Sequence, residues 1–437
     1  MNTTHRFGPP RPGTPGRGAV GDGKNLLEFG GRCSVLAVCV VLGFALVLRG
    51  APPIALPGAA QPLTVVGQAT SHGHPTKFAA DAITFTGNGD AEPKNPQRVA
   101  VTELVSWGVP TEFGRRPSVV TADGGTFAAE TVACTAETLE FVSGLLGSRI
   151  VPLAQVRGVV FRAPASTAAR DRLFDSPLAA VGDRDRLLLV GGDELQGTLT
   201  SLDARHAALE TSVGPVQLEL SRLAAVLFNP ALAAKPSSAG VRLLVGLRDG
   251  SLLTCRTVVG DGDRVRLTPL FAAADAAPWE CDAAEITFLQ TLGGRATYLS
   301  DLEPAGYKHV PYLELSRPYR FDRSTDGGFL RAGGRRYMKG IGMHSTSRLT
   351  FPLDPAQKRF EAEIAVDDGT AGQGSVTFRV FVDAEERFRS DVVRGGDSPR
   401  PIAVDVAGGR QLSLIVDFAE RGDEQDHADW LNARLTP

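Results

Sequence analysis

Two segments late in the chain place an apolar residue at every second position. They are Phe360-Ala362-Ile364-Val366 and Val376-Phe378-Val380-Val382, with chiefly polar residues between. Side chains of a strand point to alternate faces, so each segment carries one apolar face that must be covered. A helix repeats its faces every ~3.6 residues and cannot use this pattern. Further strand-like segments surround the pair: TYLSDLEP, YLELSRPY, RLTFPL, PIAVDVAG, QLSLIVDFAE and ADWLNARL, with a turn at Asp326-Gly327-Gly328. Together they predict a two-sheet jelly-roll β-sandwich over 296–437. YLSDL and WLNARL match in length and are expected to lie side by side.

Upstream, the chain repeats itself. Ser118–Phe161 reads as strand, DGG turn, two further strands, a glycine turn and a short closing strand. Arg186–Phe228 follows the same order, and Val241–Leu270 with Ala283–Leu289 follows it a third time. Each copy has its turn at the same place: Asp123-Gly124-Gly125, Gly191-Gly192-Asp193 and Asp249-Gly250. Tight hairpins need residues with positive φ, which glycine supplies. The expectation is an array of small β-barrel-like repeats at 99–180, 181–235 and 236–295, after a linker and first strands at 51–98. PASTAARDRLFDSPLAAVGDRD and PALAAKPSSAGV have linker composition. His72 and His74 in SHGHP read as part of a solvated link, because further metal ligands are not evident nearby. No nucleophile elbow, zinc-protease motif or phosphate loop occurs here. The paired acids Asp183/Asp185 and Asp261/Asp263 flank turns, where Asp ordinarily bonds the backbone. The 49 glycines and 29 prolines fit a mainly β chain of many short elements.

The N-terminus is of another kind. Residues 1–32 are rich in Gly and Pro with scattered basic residues, a composition that cannot form a core. CSVLAVCVVLGFALVL (Cys33–Leu48) is an unbroken apolar run with Arg on both sides. Over 33–50 it reads as an N-terminal apolar helix, either a signal-peptide core cut near Ala60 or a membrane anchor with the basic residues inside. Both readings place the rest outside the cytoplasm, secreted or in the cell envelope. A formal net charge of −3 gives no reason to expect nucleic acid as a partner. In an oxidising compartment Cys255 and Cys281 are candidates for a disulfide, with buried free thiols as the alternative.

The C-terminal stretches YLSDLEP, Lys339-Gly340-Ile341-Gly342-Met343-His344-Ser345, Phe360–Ile364, Gly374–Asp383 and Asp426-His427-Ala428-Asp429-Trp430 occur in one order. In that order they resemble the NPCBM family of carbohydrate-binding modules, with its galactose-binding-like sandwich. The resemblance implies a polysaccharide or glycoconjugate as partner. Sugar sites set an aromatic face against the apolar side of a pyranose and use Asp, His or Arg for its hydroxyls. The glycan-binding candidates are therefore Trp430, His344, His427 and Asp429, with Asp426, Lys339 and Arg348 beside them. The competing reading makes Trp430 a core residue and the acids and histidines an internal polar network. Galactose-binding-like folds often hold Ca²⁺ between loops, and Asp367, Asp368, Asp423 and Glu424 are loop acids of suitable hardness; otherwise no cofactor is expected. The expected function is non-catalytic glycan binding, with the repeats as spacer. The alternatives are an envelope scaffold whose sandwich and barrels bind proteins, and a glycoside hydrolase, which would need two carboxylates in a cleft.

Overall fold

The computed structural model describes residues 60–87, 96–236, 239–273, 276–311, 316–420 and 422–437. The apolar run Cys33–Leu48, and with it the question of export, lies outside them. Among the described residues no helix is long and apolar enough to cross a membrane.

The three upstream copies share element order and individual hydrogen bonds. The turn glycines Gly124, Gly192 and Gly250 have φ of 82°, 96° and 89°. Each donates its N–H to the carbonyl three residues earlier, of Thr121, Leu189 and Leu247, at 3.0 Å. In each copy a one-turn 3₁₀ segment precedes the closing strand: Leu153–Gln155, Leu220–Arg222 and Ala283–Glu285. The first residue of each turn donates back to Glu137, Arg205 or Asp263. Each closing strand then pairs antiparallel with the first strand of its own copy: Val156–Val160 with Ser118–Thr121, Leu223–Leu227 with Asp185–Leu189, and Ile286–Leu292 with Arg242–Leu247.

The copies are not strung out as beads. The closing strands of the first two pair with each other, Val159 opposite Val226. The third copy pairs instead with Leu104–Gly108, which in turn pairs with Gln61–Val65. One apolar core runs continuously from Leu63 to Leu289. The stretch holding His72 and His74, read as a link, is the strand Ser71–Phe78, which joins Gln61–Val65 to Leu252–Asp261. The Cys255–Cys281 bridge is not formed, and both residues are buried free thiols. They sit on strands separated by Arg264–Pro269, which pairs with each.

The segment expected as a linker after the first copy is instead the α-helix α1 (Thr167–Ala179). Linker-like Ala and Ser content is also compatible with a helix, and here tertiary contacts decide. Phe174 stacks on Phe113 at 4.1 Å, and Phe113 meets Phe329 of the C-terminal region at 5.5 Å. The helix is thus a wedge between the two halves of the fold.

The C-terminal region is a sandwich of two antiparallel sheets. One runs in the order Arg320–Phe321, Gly340–His344, His427–Thr436, Arg359–Val366, Arg400–Asp405. The other runs Gly306–His309, Ser347–Pro352, Gln411–Phe418, Ser375–Val382, Glu385–Arg389. The alternating residues Phe360, Ala362, Ile364, Val376, Phe378 and Val380 all face the core between the sheets. Of YLSDL only Tyr298 is in a strand: Thr297–Tyr298 pairs beside the final strand, and Leu299–Asp301 is a 3₁₀ turn, so the matching lengths do not carry through.

Ion pairs fasten the sandwich to the upstream region. Arg331 donates Nε and Nη2 to the two oxygens of Asp171 at 2.9 Å each, and bonds both oxygens of Glu112. Arg323 donates twice to Asp175 of the same helix. The guanidinium of Arg336 lies 4.1 Å over the ring of Phe113 and donates to the Thr111 carbonyl. Burial alone would raise the Glu112 carboxyl, but Arg331 and its neighbouring cations outweigh this and hold it below the usual carboxylate range. A depressed carboxylate contributes stability above its ordinary value, and that contribution is lost as pH falls through the depressed one.

Removing one partner of a buried ion cluster strands the other charges. Arg331→Ala is therefore expected to cost about 3–5 kcal/mol in urea unfolding at neutral pH. The exposed Arg359→Ala should stay within about 0.5 kcal/mol of wild type. The Arg331→Ala deficit should shrink in acid, where Glu112 is protonated; a deficit independent of pH would contradict the assignment.

Candidate functional site

The strand His427–Thr436 is the middle of its sheet, and its register sets the geometry of the site. Trp430 lies opposite Ile341 on one side and Ile364 on the other. Its side chain points inward, with the edge of Phe378 at 4.9 Å and Phe360 at 6.1 Å. At 0% exposure it presents no face to a sugar. Of the two readings of Trp430, the structure places it in the core.

The neighbours of Trp430 point the other way, toward loops laid across the sheet. Gly342, opposite Asp429, permits this approach: a Cβ there would sit 2.4 Å from the Arg323 carbonyl oxygen. Asp429 is fully buried under these loops and meets the carboxyl of Asp367. Burial and the Asp367 charge push Asp429 well above its usual range. Asp367 already accepts the N–H groups of Gly369 (2.7 Å) and Arg331 (3.0 Å). Both carboxyl oxygens of Asp429 are buried without a hydrogen-bond partner.

At the end of the strand, three imidazoles gather. His344 stands 5.7 Å from His427 and 6.1 Å from His309, centroid to centroid. The Ser345 carbonyl accepts from His344 Nδ1 at 2.8 Å and from His309 Nε2 at 3.2 Å, while His309 Nδ1 accepts from the Arg317 N–H. These bonds assign both tautomers and leave His344 Nε2 as a buried acceptor with no partner. Burial holds His344 and His427 below the usual imidazole range, so both are neutral at physiological pH. Asp426 plays a structural part. It accepts from Ser345 Oγ at 2.6 Å and from the Ser375 N–H at 2.8 Å, tying the two sheets together, and burial raises it to about 6.

Beside this cluster lies a cavity of about 380 Å³, within the ~300–1,000 Å³ range of small-ligand sites. Its sandwich wall includes Asp326, Arg331, Asp367 and Asp368, with glycine backbone at Gly328, Gly334 and Gly369. Asp326 links it to the imidazoles, its Oδ2 3.4 Å from His427 Nδ1. The facing wall comes from upstream: Glu112 and, at the start of α1, Arg170, Asp171 and Arg172. Both charge signs, planar guanidinium and carboxylate groups and open backbone are present. Such a wall can exchange paired hydrogen bonds with vicinal hydroxyls.

The remaining sequence candidates divide. Lys339 is neutralised inside the fold, 2.6 Å from Asp301 and 2.7 Å from Asp322. Arg348 is exposed on the other sheet, on Ser347–Pro352. Asp368 lines the cavity, where it accepts the N–H groups of Gly333 and Gly334. Asp423 and Glu424 belong to a different turn, and among the described residues no three His, Cys, Asp or Glu side chains are arranged to hold a metal ion. Sequence reasoning missed Asp326, Arg331 and the α1 residues. An alternation pattern says nothing of which loop or helix will cover a sheet.

Residues 295–436 match the family model described as the NPCBM/NEW2 domain. The sandwich is an NPCBM domain. Over 117 residues the chain is 38% identical to an alpha-1,3-galactosidase B of Akkermansia muciniphila, covering 26% of this chain and 15% of that protein. Thus the chain spans only a small part of that relative. Among solved structures it is 29% identical to the CBM51 of a Clostridium perfringens GH95 protein in complex with methyl-galactose. The match covers 32% of this chain and 99% of that one, with a TM-score of 0.30. It is also 28% identical to CBM51-2 and INT domains of Clostridium perfringens ZmpB in complex with GlcNAc, covering 39% and 36%, again with a TM-score of 0.30.

Trp430→Ala in the NPCBM domain is expected to cost about 3–5 kcal/mol, the range for emptying a buried aromatic site. Thermal unfolding should show the loss. A variant that melts with wild type yet loses ligand would instead make Trp430 a contact residue.

Proposed function

We propose that this protein binds glycans through its NPCBM domain without cleaving them. The match of residues 295–436 to a carbohydrate-binding family carries the reading. The mixed polar cavity at the loop end of the sandwich supports it and supplies a place for the sugar. Asp326 and Asp368 accept from hydroxyls, Arg172 donates to them, and the neutral imidazole of His427 backs Asp326 without adding charge. In this proposal the upstream β-region is more than a spacer, since the start of α1 closes the cavity. The apolar run Cys33–Leu48, with Arg on both sides, is the basis for placing the chain outside the cytoplasm, anchored or released after cleavage near Ala60.

The test is a broad glycan array probed with the chain from residue 60 onward, which keeps both walls of the cavity. Saturable retention of at least one glycan class is expected, with loss of about 10-fold or more in affinity for Asp326→Ala, on the order of one charged hydrogen bond. Silence across the array would remove the proposal. Binding untouched by Asp326→Ala and Arg172→Ala would move the site elsewhere.

A further inference from the structure

We propose a second carbohydrate site, in the cleft where the outer face of the sandwich meets the upstream region; it rests on the glycan-binding reading above. The cleft holds about 510 Å³ and is bounded by Gln68 and Ser106 on the upstream side and by Glu363, Asn432 and Arg434 on the sandwich. It lies at the opposite face of the NPCBM sheet from the core, on the outward-pointing residues of Arg359–Val366 and His427–Thr436.

The strands here depart from regular pairing. Glu361 pairs with Arg434 but Glu363 with Leu431, so an extra residue is bulged out between them. Asn432, in the bulge, has φ of 49°, a left-handed conformation that asparagine takes more readily than most residues. Bulges of this kind re-aim a side chain. The amide it presents is held only loosely, at 3.4 Å from Gln290 Nε2 and 3.5 Å from Glu363 Oε1.

A nearby polar atom is also left over. Arg434 Nη2 bonds Glu361 at 2.7 Å, while its Nε, buried, has no partner. Carboxylates and guanidiniums are nearly balanced along the cleft, with Glu361 and Glu363 against Arg335, Arg336 and Arg434. A strongly charged ligand gains little there. Planar groups that both donate and accept, alternating with apolar strips such as Pro62 and Ile402, suit the hydroxyl edges and apolar faces of a neutral oligosaccharide.

Asn432→Gly keeps the left-handed backbone and removes the amide, and Arg335→Ala removes an exposed guanidinium at the rim. Isothermal titration with neutral tri- and tetrasaccharides, on the chain from residue 60 onward, reads the stoichiometry. Wild type should take up about two equivalents, and the Asn432→Gly/Arg335→Ala double variant about one. Asp326→Ala should also fall to about one, by losing the other site. The isosteric Glu363→Gln provides the same readout if the double variant fails to melt as wild type does. Loss of a single equivalent in Asp326→Ala alone overturns the cleft and leaves the loop-end cavity standing. Loss in the cleft variants alone supports the cleft and overturns the cavity. Two equivalents that persist in the cleft variants, with only ordered water filling the space, overturn the cleft. No heat with any saccharide removes both sites.

Discussion

The guanidinium of Arg331, gripped by Glu112 and Asp171, joins two regions that sequence reads as separate. Such a cluster costs desolvation to bury and repays it only when every charge is paired. Here four of the five N–H donors of one arginine are matched by four carboxylate oxygens from a loop and a helix more than a hundred residues upstream. Phe113, Phe174 and Phe329 form an apolar cluster at the same joint. The loop-end cavity and the outer cleft both have one wall on each side of this joint, so neither has a fixed shape unless the joint holds. On the proposed reading, ligand recognition is a property of the assembled pair, and the sandwich alone would present half of each proposed site.

Much of the fold was legible because it rests on local rules. Alternation at Phe360–Val366 and Val376–Val382 located two strands and their buried faces. Gly124, Gly192 and Gly250 marked the turns of three copies, because only glycine takes that conformation at little cost. What the repeats do with their edges was not legible. Strands pair with whatever edge is nearest in space, and the partners of Leu104–Gly108 and Ile286–Leu292 are nearly two hundred residues apart. Helix α1 escaped notice for a related reason: its composition is unremarkable, and it gains its place from Phe174, Asp171 and Asp175 meeting groups distant in the chain.

The candidate site was legible in outline and misread in detail. The D-H-A-D-W stretch does mark the centre of the NPCBM domain, yet its members have different tasks. Trp430 fills the core, Asp426 ties one sheet to the other, and Asp429 lies buried under the loops. Only His427 reaches the wall of a cavity, through Asp326. Motif residues gather where a fold is most constrained, and in a sandwich that place is the central strand, whether or not ligand touches it. Lys339 follows the same logic, since the pair Asp301 and Asp322 converts a seeming surface cation into an internal brace.

The position of His427–Thr436 has a consequence for how the protein is made. It is the last strand of the sandwich to be synthesised, and it fills the centre of its sheet, between Gly340–His344 and Arg359–Val366. While the ribosome is still producing it, those flanking strands each lack one of their two neighbours, and Phe360 and Phe378 lack the indole they pack against. The NPCBM domain must therefore remain open until that segment emerges, holding unpaired edges that invite wrong partners. The upstream region, whose closing strands are already made, can fold first. It then stands ready, with Glu112 and Asp171 in place, as the surface on which the late-arriving sandwich completes itself.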